Sequence, residues 1–302
     1  MIKFVFKRLL YLVPVIFGVT FMVYLLMTIA SGNPEEAPLR GILDEELKEA
    51  KREELGLNDP ILVRYGRMLK KLFSLDHDRQ GSLAHKMSVH LPKSLLLCFT
   101  ALFFSVVLAL PLGIIAALKQ NTLFDGVCMV ISLIGVSMPN FWLGLMMMIV
   151  FALEMNLLPT SGSDTWAHLV LPAATLAFIN MAAISRSIRS SVLEVVRQDY
   201  IRTARAKGVP YGMIVRRHIL RNALIPTVTV IGIQLGELLS GTIVIENIYA
   251  WPGVGRLLIQ AINSRDMSMM IACVIVFAVF VSFINLFVDI LYSLIDPRIS
   301  LN

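Results

Sequence analysis

The sequence predicts an all-α membrane protein with six transmembrane helices, and three observations predict it. The chain is 57% hydrophobic, with a mean hydropathy of +0.75. Apolar runs recur at 9–30, 94–118, 126–153, 168–185, 223–247 and 268–292, and about 20 apolar residues cross a bilayer as a helix. Between the fourth and fifth runs lies a basic stretch, 186–221, with nine Lys/Arg against two acids, Glu194 and Asp199. Short loops rich in Lys and Arg stay on the cytoplasmic side. The expected topology therefore has both termini and 186–221 inside.

The elements follow in order. Lys3, Lys7 and Arg8 precede the first span. Its apolar run, Leu9 to Ala30, exceeds the ~7–15 residues of a secretory signal core, and more spans follow, so it reads as an uncleaved helix. Residues 31–93 form the one long polar segment, with eleven Lys/Arg balanced by eleven Asp/Glu. Loops this long largely escape the charge rule, and the segment reads as an external helical insertion. Within it, 41–57 sets Leu43, Leu47 and Leu55 at helix-like spacing. Residues 60–74 put Ile61, Tyr65, Met68, Leu69 and Leu72 on one face, with Arg64, Arg67, Lys70 and Lys71 elsewhere. This is either a lid or docking cap outside the membrane, or an interfacial helix on lipid headgroups.

Span 2 contains Pro111 and Gly113 and ends in a short inner turn, KQNTLFD at 119–125. Span 3 contains SMPNFW at 137–142, where Pro139 removes a backbone hydrogen bond and Asn140 adds polarity at membrane depth. Such breaks are tolerated where they face protein or a watery cavity. No Lys or Arg occurs between Gln120 and Ser185, and the loop 154–166 reads as an outside loop. Span 5 holds Glu237, and an intramembrane carboxylate points to function by default. The readings weighed are a pathway-lining acid and a hydrogen-bonded structural acid. Gly232 and Gly236 form a GxxxG, a spacing that lets helices approach closely. Asp289, near the end of span 6, is placed to pair with Arg298 or with a basic residue of 186–221.

The chemistry that is missing narrows the function. No GxxxxGK[ST] loop is present, so the chain has no phosphate cradle of its own for ATP. HExxH and GxSxG are absent too, which argues against an enzyme. Cys98, Cys128 and Cys273 all fall inside spans without CxxC spacing, so neither a disulfide nor a metal site is expected. The excess positive charge sits at the N-terminus and in 186–221, as membrane topology predicts, and not in a nucleic-acid footprint.

Residues 199–226, DYIRTARAKGVPYGMIVRRHILRNALIP, carry a regular Ala/Gly/Pro pattern that a bare loop would not need. The segment resembles the cytoplasmic EAA loop of ABC importer permeases. Arg202-Thr203-Ala204 stands at the family's triplet, Gly208 at its glycine and Leu220 at its leucine. Arg221 replaces the usual proline, and Pro226 follows later. That departure is similar to the subgroup that moves peptides, nickel and glutathione. KFVFKRLLYLVPVIFGVTFMVYLL, GVSMPNFWLGL, NLLPTSG, VIENIYAWPGVGRLLIQAI and VDILYSLIDPRI resemble the same subgroup.

The resemblance implies a type I ABC importer permease fold, one transmembrane permease domain over 1–302, and a multi-pass place in a bacterial or archaeal plasma membrane. It implies an oligopeptide or dipeptide permease that forms half of a pathway. A nickel or metallophore permease, or a non-transporting receptor or scaffold, are the alternatives. The implied partners are a second permease, two ATPases that bind ATP and Mg, an extracytoplasmic solute-binding protein and membrane lipid. The chain itself would hold no cofactor and catalyse nothing. The coupling segment would be Arg202, Thr203, Ala204, Arg205, Ala206, Lys207, Gly208, Val209 and Pro210, with Ala204, Ala206 and Gly208 keeping the ATPase contact close. Val209 and Pro210 are expected to end its helix. Asn140 and Glu237 are the candidate pathway residues.

Overall fold

In the computed structural model the described residues are 2–29, 36, 39, 41–73 and 83–295. Among them every regular element is helical: α1 (Ile2–Ile29), α2 (Glu45–Glu54), α3 (Ile61–Phe73), α4 (Leu83–Leu118), α5 (Leu123–Ser137), α6 (Asn140–Met147), α7 (Ala167–Val196), α8 (Asp199–Ala206), α9 (Tyr211–Met213), α10 (Leu220–Ile248), α11 (Val254–Ser264) and α12 (Met267–Ile295). Wider π turns continue α6 over Met148–Glu154 and join α9 to α10 over Ile214–Ile219.

Among the described residues five helices are long and apolar enough to cross a membrane: Phe6–Ile29, Leu83–Leu118, Ala167–Val196, Tyr211–Ile248 and Met267–Ile290. A sixth crossing exists if α5 and α6 are one span, bent by 108°. The sequence predicts a single span over 126–153, and the structure breaks it at Met138-Pro139. The Met138 N–H makes the last bond of α5, to Ile134 O at 3.0 Å. Pro139 has no N–H to continue the ladder, and a residue before proline is driven out of the helical region. Met138 accordingly adopts ψ 130°.

Other boundaries move as well. Residues 83–92, assigned from sequence to the external insertion, are the first turns of α4. The basic stretch 186–221 is not one segment: 186–196 complete α7, and 211–221 lie in the helix that runs into α10. The sequence reading contains no α11. Arg298, the partner suggested for Asp289, lies outside the described residues.

The chain divides into two compact units. The first comprises Met1–Pro92 and Gly253–Ser282. In it, α3 lays Tyr65, Met68 and Leu72 against Tyr24 and Ile271, with Ile61 and Leu69 partly buried beside them. This is the face read from the sequence. Tyr65 meets the Phe21 ring edge-on and the Tyr24 ring at a tilt, with centroids 5.3 and 5.6 Å apart. Its hydroxyl lies 2.7 Å from Thr20 Oγ1 and donates to Phe17 O at 3.2 Å. By contrast, α2 buries no residue. It is held by its cap, where Asp44 Oδ1 accepts from the N–H of Glu46 and Leu47. The face of α11 carrying Val254, Leu257 and Ala261 packs on Met269, Met270 and Cys273 of α12.

The second unit comprises Lys93–Pro252 and Phe283–Asn302. Its centre is α7, where close approach rests on missing side chains. A Cβ on Gly113 of α4 would sit 2.6 Å from Ser185 O, and one on Gly135 of α5 would sit 2.6 Å from Ala182 Cβ. Of the GxxxG pair, only Gly232 makes such an approach, to Val288 of α12; Gly236 has nothing within 4 Å. Tyr249 ties α6 and α7 together, donating to Gly144 O at 2.8 Å and lying 3.1 Å from Thr175 Oγ1.

Candidate functional site

The helix α8 holds most of the candidate coupling segment. Gln198 enters it in extended conformation, and Asp199 in the first turn and Arg205 in the last suit the helix dipole. One side chain anchors it. Ile201 is fully buried in a cluster with Ala117, Ile188, Val192, Ile214 and Ile219, and Ala204 and Val209 pack against the same cluster. Arg202, Thr203, Arg205, Ala206, Lys207, Gly208 and Pro210 are exposed. An eight-residue helix with one buried residue presents nearly its whole circumference outward.

The end of α8 departs from the expected one. Gly208 sits at φ +75°. Its N–H bonds to Arg205 O at 3.0 Å, and the Val209 N–H reaches back to Ala204 O at 3.3 Å. These two bonds define a Schellman cap. Gly208 therefore ends the helix, ahead of Val209 and Pro210, and a left-handed residue without a Cβ is what the cap requires. Nothing lies within 4 Å of where its Cβ would be, so within the chain the glycine serves conformation and not close contact. Pro210 then caps α9. In the following π turns bonds run from i to i+5, and Ile214 and Ile219, five apart, both reach the buried cluster. Asn222 Nδ2 donates to Tyr200 Oη at 3.2 Å, which places α8 beside the start of α10.

The two pathway candidates lie farther along α10, one on it and one against it. Asn140 begins α6 just after the break, with Nδ2 3.1 Å from the position of a Cβ on Gly241. Glu237 is one turn earlier on the same helix, roughly 22 Å along the axis from Asn222 at 1.5 Å per residue. Glu237 is exposed, and Gln234 Nε2 donates to its Oε2 at 2.8 Å. Within this chain Glu237 thus has a hydrogen-bonding partner on its own helix and an otherwise open side. Ile233, Glu237, Ser240, Val244 and Asn247 form one exposed stripe on α10. The exposed side chains of α4 between Phe99 and Ile115 are all apolar.

Two polar constellations escape the sequence reading. Glu246 is fully buried and accepts from Ser94 Oγ at 2.5 Å. Arg189 of α7 grips Asp125 of α5 with Nε at 2.5 Å and a terminal nitrogen at 2.8 Å. The signal for the second was available: Asp125 is the only charged residue between Gln120 and Glu154. Among the described residues no three His, Cys, Asp or Glu converge as a metal site would need.

Comparisons agree with this architecture. A dipeptide transport system permease protein of Alkalihalophilus pseudofirmus is 40% identical, with 99% of each chain covered. A glutathione transport system permease protein of Escherichia coli is 37% identical over 303 residues, again covering 99% of each. An inward-facing structure of the MetNI methionine ABC transporter superposes with TM-score 0.61 at 20% identity, covering 70% of this chain and 96% of that one. A crystal structure of an amino acid ABC transporter with histidines gives 0.58 at 16%, covering 69% and 93%. At those identities the superpositions speak for the fold alone. Residues 109–301 match the family described as binding-protein-dependent transport system inner membrane component, and with the full-length relatives this makes the chain a member of that family.

Proposed function

We propose that the chain is the transmembrane permease subunit of an ATP-driven ABC importer for small peptides. It forms half of a translocation pathway with a homologous permease, docks on separate ATPases and receives solute from an extracytoplasmic binding protein. The observation that carries the reading is α8: a short, capped, basic helix whose single buried side chain leaves the rest of its surface to a partner. Peptides as cargo are supported by the dipeptide and glutathione permease relatives, since glutathione is itself a tripeptide.

In this reading Arg202, Thr203, Ala204, Arg205, Ala206, Lys207, Gly208, Val209 and Pro210 form the ATPase contact. Both termini and α8 are cytoplasmic, and residues 41–73 lie outside the membrane. Asn140 and the Glu237 stripe face the pathway, where an acid is less costly than in lipid. ATP and Mg belong to the ATPases. The test is reconstitution of the permease pair, ATPases and binding protein in vesicles. ATP-dependent uptake of radiolabelled dialanine that requires the binding protein is expected. Partner binding without uptake would indicate a scaffold, and uptake of nickel in place of peptide would move the cargo class.

A further inference from the structure

Arg189 and Asp125 are well placed to do more than stabilise. The pair is two-pronged and shielded, with Asp125 6% exposed and Arg189 20%. Asp125 Oδ2 also accepts from the Asn121 N–H at 3.0 Å, closing the turn between α4 and α5. On α7 one turn earlier, Ser185 Oγ lies 3.1 Å from Ser132 Oγ of α5, and its carbonyl lies under Gly113 of α4. Thus α7 is clasped by α4 and α5 at Ser185, Ile188 and Arg189. Residues 197–198 are all that separate the end of α7 from α8, and Ile201 of α8 shares a buried cluster with Ile188 and Ala117. Buried contacts therefore link α8, through Ile201 and Ile188, to Arg189 and the start of α5. At the far end of α5 the backbone ladder stops at Met138-Pro139.

We propose that Asp125 and Arg189 are positioning residues for transport: their ion pair makes α5 move as one body with the corner of α7 and α8, so that displacement of α8 is delivered to the break at Met138-Pro139. This rests on the reading of α8 as the ATPase contact. Ion pairs with two parallel N–H···O bonds fix orientation as well as distance, which a lone hydrogen bond between Ser132 and Ser185 would not. The break is where relative motion is absorbed, because no backbone hydrogen bond of the helix ladder crosses Pro139.

The test follows thiol labelling of Met138→Cys in the assembled transporter, with Cys98, Cys128 and Cys273 replaced by alanine. With the pair intact, a non-hydrolysable ATP analogue should change the labelling rate by about fivefold or more, the lower range of measured site-to-site coupling. Arg189→Ala should assemble yet lose most of that change, and Arg189→Lys, which keeps the charge and one hydrogen bond, should recover part of it. No nucleotide effect with the pair intact, or a full effect in Arg189→Ala, would overturn the proposal. If Arg189→Ala does not assemble, Arg189→Lys decides: a partial effect supports the proposal, and a full effect or failure to assemble overturns it in favour of a purely structural pair. Dialanine uptake is read separately. Its absence with the labelling change intact would remove the peptide reading and leave the pair standing.

Discussion

Two short cationic helices in this chain look alike in composition and differ in what they do with their apolar side. α3 carries Arg64, Arg67 and Lys70; α8 carries Arg202 and Arg205, with Lys207 at its end. Charge does not separate them. Burial does. α3 fully commits Tyr65, Met68 and Leu72 to a cluster within its own unit, whereas α8 buries Ile201 fully and Ala204 in part. A helix with three anchors is part of the fold. A helix with one fully buried anchor, an explicit cap and a largely open surface suits the contact proposed for α8.

The comparison breaks most readily at α3. Tyr65→Ala removes a ring packed against Phe21 and Tyr24, and the loss should be about 3–5 kcal/mol, read as a lower thermal midpoint of the purified complex. Tyr65→Phe should cost about 1 kcal/mol, because Thr20 Oγ1 still bonds to Ile16 O. If Tyr65→Ala left the midpoint unchanged while reducing transport, the two helices would have to exchange roles.

Gly208 comes next. Any side chain there must occupy φ +75°, a conformation that costs an L-residue about 1–2 kcal/mol. Gly208→Ala should fray the end of α8 and lower coupled uptake while membrane insertion persists. Gly208→Trp adds bulk to open space and should also block ATPase docking. Uptake and ATP hydrolysis both unchanged in Gly208→Trp would remove α8 from the coupling assignment.

The exposed cations sharpen the contrast at smaller scale. Arg202 lies 3.8 Å from Asp199 with both side chains open to solvent, and such surface pairs contribute roughly 0–1 kcal/mol. Arg202→Ala and Arg205→Ala should leave the thermal midpoint nearly unchanged and weaken ATPase co-purification. Equal losses of stability and binding would mean that α8 is held by more than Ile201. Orientation is checked by thiol labelling in intact cells: Ser161→Cys should react from outside and Gly212→Cys should not.

The smallest effect is expected at Glu237. Glu237→Gln keeps the shape and the bond to Gln234, so assembly should persist. Uptake of lysine-containing dipeptides should fall more than uptake of dialanine. An equal loss for both would argue for a structural part played against the partner permease, and no change would take Glu237 out of the pathway.

Much of this molecule is readable before folding. The spans follow from apolar length, because a bilayer-crossing helix satisfies its own backbone and needs no distant partner to be recognised. The apolar face of α3 follows from helical spacing. Gly208 was visible as a position, though its reason was not: the sequence suggests a contact, and the φ angle shows a cap. The start of α4, the extension of α7 and the whole of α11 were less legible, since charged residues within a long helix look like its boundary when only hydropathy is read. Arg186 and Arg189 belong to α7 although the apolar run stops at Ser185.

By itself the sequence determined the all-helical membrane class, the five long apolar helices and the location of the basic helix, all of which depend on local composition and periodicity. Only the tertiary structure decided that the run predicted as span 3 is two helices set at 108°, that Gly232 packs closely while Gly236 does not, and that Glu237 is exposed while Glu246 is buried. It alone joined Asp125 to Arg189 across 64 residues of chain. Such facts depend on which helices meet and at what rotation, and contacts between distant residues leave no period in the sequence that contains them.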